Sequence, residues 1–145
     1  DVYKRQLIMQ YEEITLDDFQ EKYYSPYRPD ARHIYGVFLG IHALIPTVYI
    51  LLKAVNKGLI TDSRWIEKIA IYHMKNKIWI ATMKKFGILS EMWKQVYHDL
   101  ILVSKESDPL VNKMIQEFNL PIKTIQQKVK EHFMKVQKDY PHLVY

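Results

Sequence analysis

The side chains best suited to contact a charged partner lie near the C-terminus, at Lys123, Thr124, Gln127, Lys128 and Lys130. Lysine ammonium groups bind phosphates, and lysine and glutamine also hydrogen-bond to the edges of bases. Ile125 and Val129 alternate with them at helical spacing and would face the protein interior. The five polar residues would then remain exposed, so the pattern favours contact with nucleic acid.

The surrounding residues 110–133 resemble a helix-turn-helix motif. The resemblance lies in Phe118-Asn119-Leu120 at the turn, Thr124-Ile125 in the second helix, and then Val129 and Phe133. Asn119 tolerates the left-handed conformation of a tight turn, and Pro121 suits the first turn of a helix. Ile125 and Val129 would pack on Met114, Ile115 and Phe118. The resemblance implies DNA or RNA contact by the second helix, although a plain helical hairpin gives the same pattern.

A second basic segment precedes this motif. A helix predicted to run from Thr61 or Asp62 to Phe86, with Gly87 after it, carries many more basic than acidic residues. Its candidate phosphate contacts are Lys68, Lys75, Lys84 and Lys85. The alternative is a solvated face whose long side chains cover apolar surface. Helical spacing assigns the core face of this helix to Trp65, Ile69, Tyr72, Trp79, Met83 and Phe86.

The remaining polar residues do not predict catalysis or metal binding. The six histidines lack the HxxxH and HExxH spacings, and the sequence has no glycine-rich phosphate loop and no nucleophile-elbow pattern. Because there are no cysteines, disulfides and thiolate metal sites are excluded. We therefore expect no enzyme activity, metal or cofactor. His42 is expected to be a core histidine bonded to a tyrosine or to the backbone.

Composition fits one globular domain. The chain has 145 residues and a formal net charge of +5, and its isoelectric point is about 9.2. Such a charge favours nucleic acid, anionic membranes or acidic proteins as partners. The absence of cysteine is consistent with a cytoplasmic location. Residues 1–8 fit poorly with the rest of the chain and are expected to be non-native or disordered, which assigns the domain to residues 9–145 and its helix-turn-helix-like part to residues 108–138.

Residues 34–52 form a nearly uncharged apolar run that could either span a membrane or form the core of a helical bundle. Gly36, Gly40, His42 and Pro46 dilute its hydrophobicity, and basic residues flank both ends, so the core interpretation is favoured. Pro46 removes a backbone donor. We therefore expect a pair of apolar helices at residues 34–45 and 46–56, ended by Gly58.

Caps and prolines divide the rest of the chain. Residues 15–24 are predicted as a short helix, and residues 23–29 as a linker whose tyrosines fold back over the core. A helix is predicted for residues 90–104, and a separate short one begins at Pro109, after a cap at Ser107 or Asp108. The sequence thus predicts an all-α, compact, orthogonal or bundle-like domain of five to seven helices around the buried apolar pair.

The expected function is nucleic-acid binding or a regulatory accessory role through the C-terminal segment. A protein-interaction module, such as an oligomeric subunit or a small inhibitor of a macromolecule, is the alternative, and a peripheral membrane protein is a third. The expected partners are accordingly DNA or RNA, a protein partner, or a second copy of the chain.

Overall fold

The computed structural model describes residues 21–142, which contain four α-helices and no β-strand. We number them α1 (Ile34–Asn56), α2 (Ser63–Phe86), α3 (Glu91–Glu117) and α4 (Ile122–Asp139). The all-α class is confirmed, but the described residues hold fewer helices than the expected five to seven. Residues 1–8 and most of the helix predicted at 15–24 lie outside the described range, and residues 21–24 are not helical.

α1 is the helix on which α2 and α3 pack. Its N-terminal half meets Trp79 of α2 and Trp93 of α3, and its C-terminal half meets Ile66 of α2 and Val111 of α3. α1 is therefore antiparallel to α2 and parallel to α3, as the short connections between successive helices favour. α4 lies outside this three-helix core and packs on α2.

α1 is one helix, so the predicted division into residues 34–45 and 46–56 is wrong. Pro46 lies within the helix and, because proline has no N–H, donates no helical hydrogen bond to the preceding turn. His42, Ala43 and Thr47 are exposed, so the affected turn lies on the side that water reaches. The Thr47 hydroxyl also donates to the Ala43 carbonyl at 2.8 Å. A proline on the exposed side of a helix is tolerated because solvent compensates the missing bond.

The same reasoning corrects the predicted boundary at Pro109. α3 continues through this proline, and no separate helix begins there. Pro109 and Lys105, whose carbonyl loses its donor, are both exposed. The Ser107 hydroxyl donates to the Val103 carbonyl at 2.9 Å instead of capping a new helix. The result is a continuous 27-residue helix.

α1 has the length and apolarity of a membrane span, which no other helix of the described range has. Its most apolar 18-residue window has a mean hydropathy of 1.9, and 33% of that window is buried. Val37 is fully buried, and Leu44 and Leu51 are partly buried against the two main apolar clusters. One face of α1 thus packs in the core, while other side chains of the helix lie at the surface, with Ile50 65% exposed.

The N-terminal cap predicted for the second basic segment is confirmed, whereas the left-handed cap predicted at Gly87 is not. The Asp62 carboxylate accepts a hydrogen bond from the Arg64 amide at 2.9 Å and caps α2. Gly58 follows α1 with φ of 70°, a conformation that favours glycine. α2 ends at Phe86 as predicted, but Gly87 has an ordinary negative φ of −74°.

Two aromatic positions were predicted wrongly. Trp65 was placed on the core face of α2, but it is 53% exposed, and the neighbouring Ile66 is the first-turn residue that packs on α1. His42 was expected in the core, but it is exposed on α1 and contacts Trp93 edge-to-face with ring centres 6.0 Å apart. Both residues lie at the helical spacing of core residues, but their side chains are exposed.

The segment before α1 covers the end of the core with tyrosines, as predicted. Tyr23 pairs with Arg32 through two backbone hydrogen bonds, which closes the segment into a loop. Tyr24 is 3% exposed. The Tyr27 hydroxyl donates to the Tyr72 carbonyl at 2.7 Å. This loop fixes Tyr24 beside α4, where its side chain contributes to an apolar groove between α2 and α4.

Candidate nucleic-acid interface and the adjacent groove

The turn before α4 has the predicted left-handed residue. Asn119 has φ of 48°, and the Leu120 amide returns to the Ile115 carbonyl at 3.1 Å. α4 begins at Ile122, directly after Pro121. Ile125 is fully buried in the apolar cluster that contains Met114. The turn and the inward face of the second helix therefore follow from the local sequence.

The position of α4 departs from a compact helix-turn-helix. α4 packs more extensively on α2 than on α3, the first helix of the motif. Ile115, a large side chain, stands where a small residue would let the two helices of the motif approach. Phe118, expected beneath Ile125 and Val129, is 36% exposed. The motif is an open hairpin whose second helix is supported by α2.

The five candidate residues of α4 are all exposed: Lys123, Thr124, Gln127, Lys128 and Lys130. They are not equally available. The Lys128 ammonium group binds the Glu67 carboxylate of α2, and the Gln127 amide donates to Glu131 at 3.0 Å. Lys123 and Lys130 form no ion pair with another described residue, so they are the most available cations among the five candidates on this helix.

The candidate lysines of α2 lie in different surroundings. The Lys68 ammonium lies 4.9 Å from the centre of the Trp65 ring, and the Lys85 ammonium lies 4.9 Å from that of Phe86. Lys75 is half-buried over Tyr27, and burial lowers its pKa. Lys84 is exposed in the last turn. Aromatic side chains thus hold three of the four lysines close to the helix.

Positive charge is concentrated on the two packed helices. α2 carries six basic residues and one acidic residue, and α4 carries five basic and two acidic residues, so together they carry +8. Because the whole chain carries +5, the rest of the protein is net negative. The fold has brought two basic segments that are distant in sequence onto neighbouring helices.

A partly buried histidine of α4, His132, lies close to two of these cations, Lys75 and Lys135. The Tyr24 hydroxyl is 2.7 Å from Nδ1 of His132. Burial lowers the pKa of His132, and the charges of Lys75 and Lys135 lower it further. The hydrogen bond joins the imidazole to the Tyr24 hydroxyl, whose own pKa is raised by burial. The pair ties the tyrosine loop to α4.

A second histidine joins α2 to α3. His73 Nε2 is 2.8 Å from Asp108 Oδ1, and the Lys77 ammonium is 2.9 Å from the same carboxylate. Burial lowers the pKa of His73 and outweighs the opposing effect of Asp108, so His73 is a neutral N–H donor rather than an ion-pair partner. Burial alone would raise the pKa of Asp108, but hydrogen bonds from Lys77 and His73 lower it.

An apolar groove of about 620 Å³ runs between α2 and α4. Apolar side chains form its floor: Tyr24, Met74, Ile78, Val129 and Phe133. Lys77 and Lys85 of α2 and Lys130 of α4 also line it. Sequence reasoning did not identify this groove. Met74, Ile78 and Ala81 form a second stripe on α2 at helical spacing, separate from the predicted core stripe, and this signal could have revealed it.

Residues 21–142 contain no group of three or more histidine or acidic side chains placed to hold a metal ion. The fold and the surface thus define a basic all-α protein in which a three-helix core carries a fourth, peripheral helix. Comparison with protein-family models, curated proteins and solved structures finds no match to the chain.

Proposed function

We propose that the protein binds nucleic acid through the basic surface of α2 and α4. The supporting observation is the packing of these helices side by side, which concentrates a charge of +8 on one part of a chain that carries +5 overall. Phosphates attract such a surface and release counterions when they bind it. Lys123 and Lys130 contact phosphates, with Lys68, Lys84 and Lys85 extending the surface along α2.

The outer face of α4 provides any contact with bases. Thr124 and Gln127 are exposed beside Lys123 on the helix that follows the Asn119 turn. Glutamine can hydrogen-bond to adenine and threonine to several base edges. Lys128 has a supporting role, because its bond to Glu67 fixes α4 against α2. Since few side chains in this set read bases, phosphate contacts dominate and sequence preference is weak.

The test is the salt dependence of binding to duplex DNA and to RNA hairpins, measured by fluorescence anisotropy. Lys123→Ala should weaken binding and reduce the slope of log K against log salt by about 1. Lys105→Ala is the matched control, because it removes one exposed lysine from the acidic helix α3. Equal effects of the two variants, or no binding by the wild type at low salt, would refute the proposal.

A further inference from the structure

The groove between α2 and α4 has an interior whose polar groups are already bonded. The Thr82 hydroxyl donates to the Ile78 carbonyl at 3.1 Å, Tyr24 is bonded to His132, and His73 is bonded to Asp108. A ligand in the groove would find little to hydrogen-bond with below the rim. The part of the ligand that is buried must therefore be apolar.

The dimensions of the groove suit a small molecule with a long chain. Its volume of about 620 Å³ lies within the usual range of ligand pockets, about 300–1,000 Å³. The α2 wall extends from His73 to Phe86, which is about 20 Å at the helical rise per residue. An elongated apolar chain fits this shape better than a compact ring system does.

The charge of the rim specifies the polar end of the ligand. Lys130 lines the α4 wall without an ion pair to another described residue, whereas the Lys77 ammonium on the α2 wall is held by Asp108 and the Lys85 ammonium lies over the Phe86 ring. The charge of +8 on the two helices raises the local concentration of anions. A ligand with an apolar chain and a single anionic head matches both the floor and the rim.

We infer that the groove binds a single-chain anionic amphiphile of the long-chain fatty acid class. The acyl chain lies on Met74, Ile78, Val129 and Phe133, and the carboxylate lies at the rim beside Lys130. This inference goes beyond nucleic-acid binding. The two surfaces share Lys85 and Lys130, but the apolar floor belongs only to the groove, and Lys123 and Gln127 do not line it.

Titration of the protein with oleate and with a series of shorter saturated fatty acids, below their micellar concentrations, tests the inference by calorimetry. Affinity should rise with each added methylene, by at most about fourfold, and stop rising once the groove is filled. Oleyl alcohol, which lacks the charge, should bind about tenfold more weakly than oleate.

Two pairs of variants locate the site. Ala81 is exposed and lines the groove, so Ala81→Trp fills it without disturbing the core and should weaken oleate binding at least about tenfold. Ala43→Trp is the control, at an exposed alanine on α1. Lys130→Glu should weaken binding several-fold, whereas Lys123→Glu on the outer face of the same helix should change it less than about twofold.

Three outcomes would overturn the inference. One is the absence of saturable oleate binding by the wild type. Another is equal oleate affinity for Ala81→Trp and Ala43→Trp. The third is that the wild type binds an acidic amphipathic peptide but no fatty acid, and that Ala81→Trp abolishes the binding of this peptide. Retention of nucleic-acid binding by Ala81→Trp would show that failure here leaves the proposed function intact.

Discussion

Gly36 and Gly40 lie one turn apart on α1, yet replacement by alanine should change stability in opposite directions. A Cβ atom at Gly40 would lie 2.2 Å from Cη2 and Cζ3 of Trp79, far inside van der Waals contact. A Cβ atom at Gly36 would meet only Arg32, with its nearest atom 3.4 Å away. Trp79 is 3% exposed, so its ring cannot move aside into solvent. The close approach of α1 to α2 therefore depends on glycine at position 40 alone.

The expected changes in the free energy of unfolding follow from two opposing effects. Replacing glycine by alanine inside a helix stabilises a protein by about 0.5–1 kcal/mol at either position. At position 40, overpacking of the core opposes this by about 1–3 kcal/mol, and the severe overlap favours the upper end of that range. We expect Gly36→Ala to raise the free energy of unfolding by about 0.5–1 kcal/mol and Gly40→Ala to lower it by about 2 kcal/mol. The melting temperatures should differ by roughly 5–12 °C.

Urea and thermal unfolding followed by circular dichroism measure both variants. Trp79→Phe removes the ring atoms that overlap the new methyl group. The stability losses of the two single variants, Trp79→Phe and Gly40→Ala, should therefore sum to more than the stability loss of the double variant. A coupling of at least about 1 kcal/mol is expected. If Gly40→Ala proves as stable as Gly36→Ala, α2 does not approach α1 through Trp79, and the packing described for the core is wrong.

Two further predictions concern single residues. Because burial lowers the pKa of His73, the unfolded chain binds this proton more readily, so the free energy of unfolding should fall as the pH decreases below about 6.5. His73→Gln keeps an N–H donor for Asp108 but does not titrate, so the free energy of unfolding measured in urea should depend less on pH. An unchanged pH dependence would contradict the assignment of the decrease to His73. Asn119→Val should cost about 1–2 kcal/mol, because a branched side chain is strained at φ of 48°. Asn112→Val, at an exposed position of α3, should cost less than about 0.5 kcal/mol, and equal losses would count against the left-handed turn.

Features fixed by local chemistry could be predicted from the sequence. Asp62 caps α2 because its carboxylate reaches an amide two residues away, and Asn119 turns the chain because asparagine tolerates positive φ. The inward position of Ile125 follows from apolar residues at helical spacing, and it leaves Lys123 and Gln127 exposed. None of these outcomes depends on which helix packs against which.

Pro46 and Pro109 show what local reasoning could not decide. A proline in a helix always loses one hydrogen bond, but the energetic consequence depends on whether the orphaned carbonyl faces water or the core. Both prolines lie on faces that solvent reaches, and this is a property of the tertiary packing. The sequence therefore showed where α1 and α3 were weakened without showing that they would continue.

The candidate surfaces depend on tertiary structure in the same way. The polar face of α4 was predictable, but its neighbour was not, because α4 packs mainly on α2 rather than on the helix that precedes it in the motif. That choice opens an apolar groove that Lys130 and Lys85 also line. Met74 and Ile78 were already visible as apolar residues outside the core stripe of α2, so a helix with two apolar stripes and only one assigned partner indicates a surface that another element or a ligand must cover.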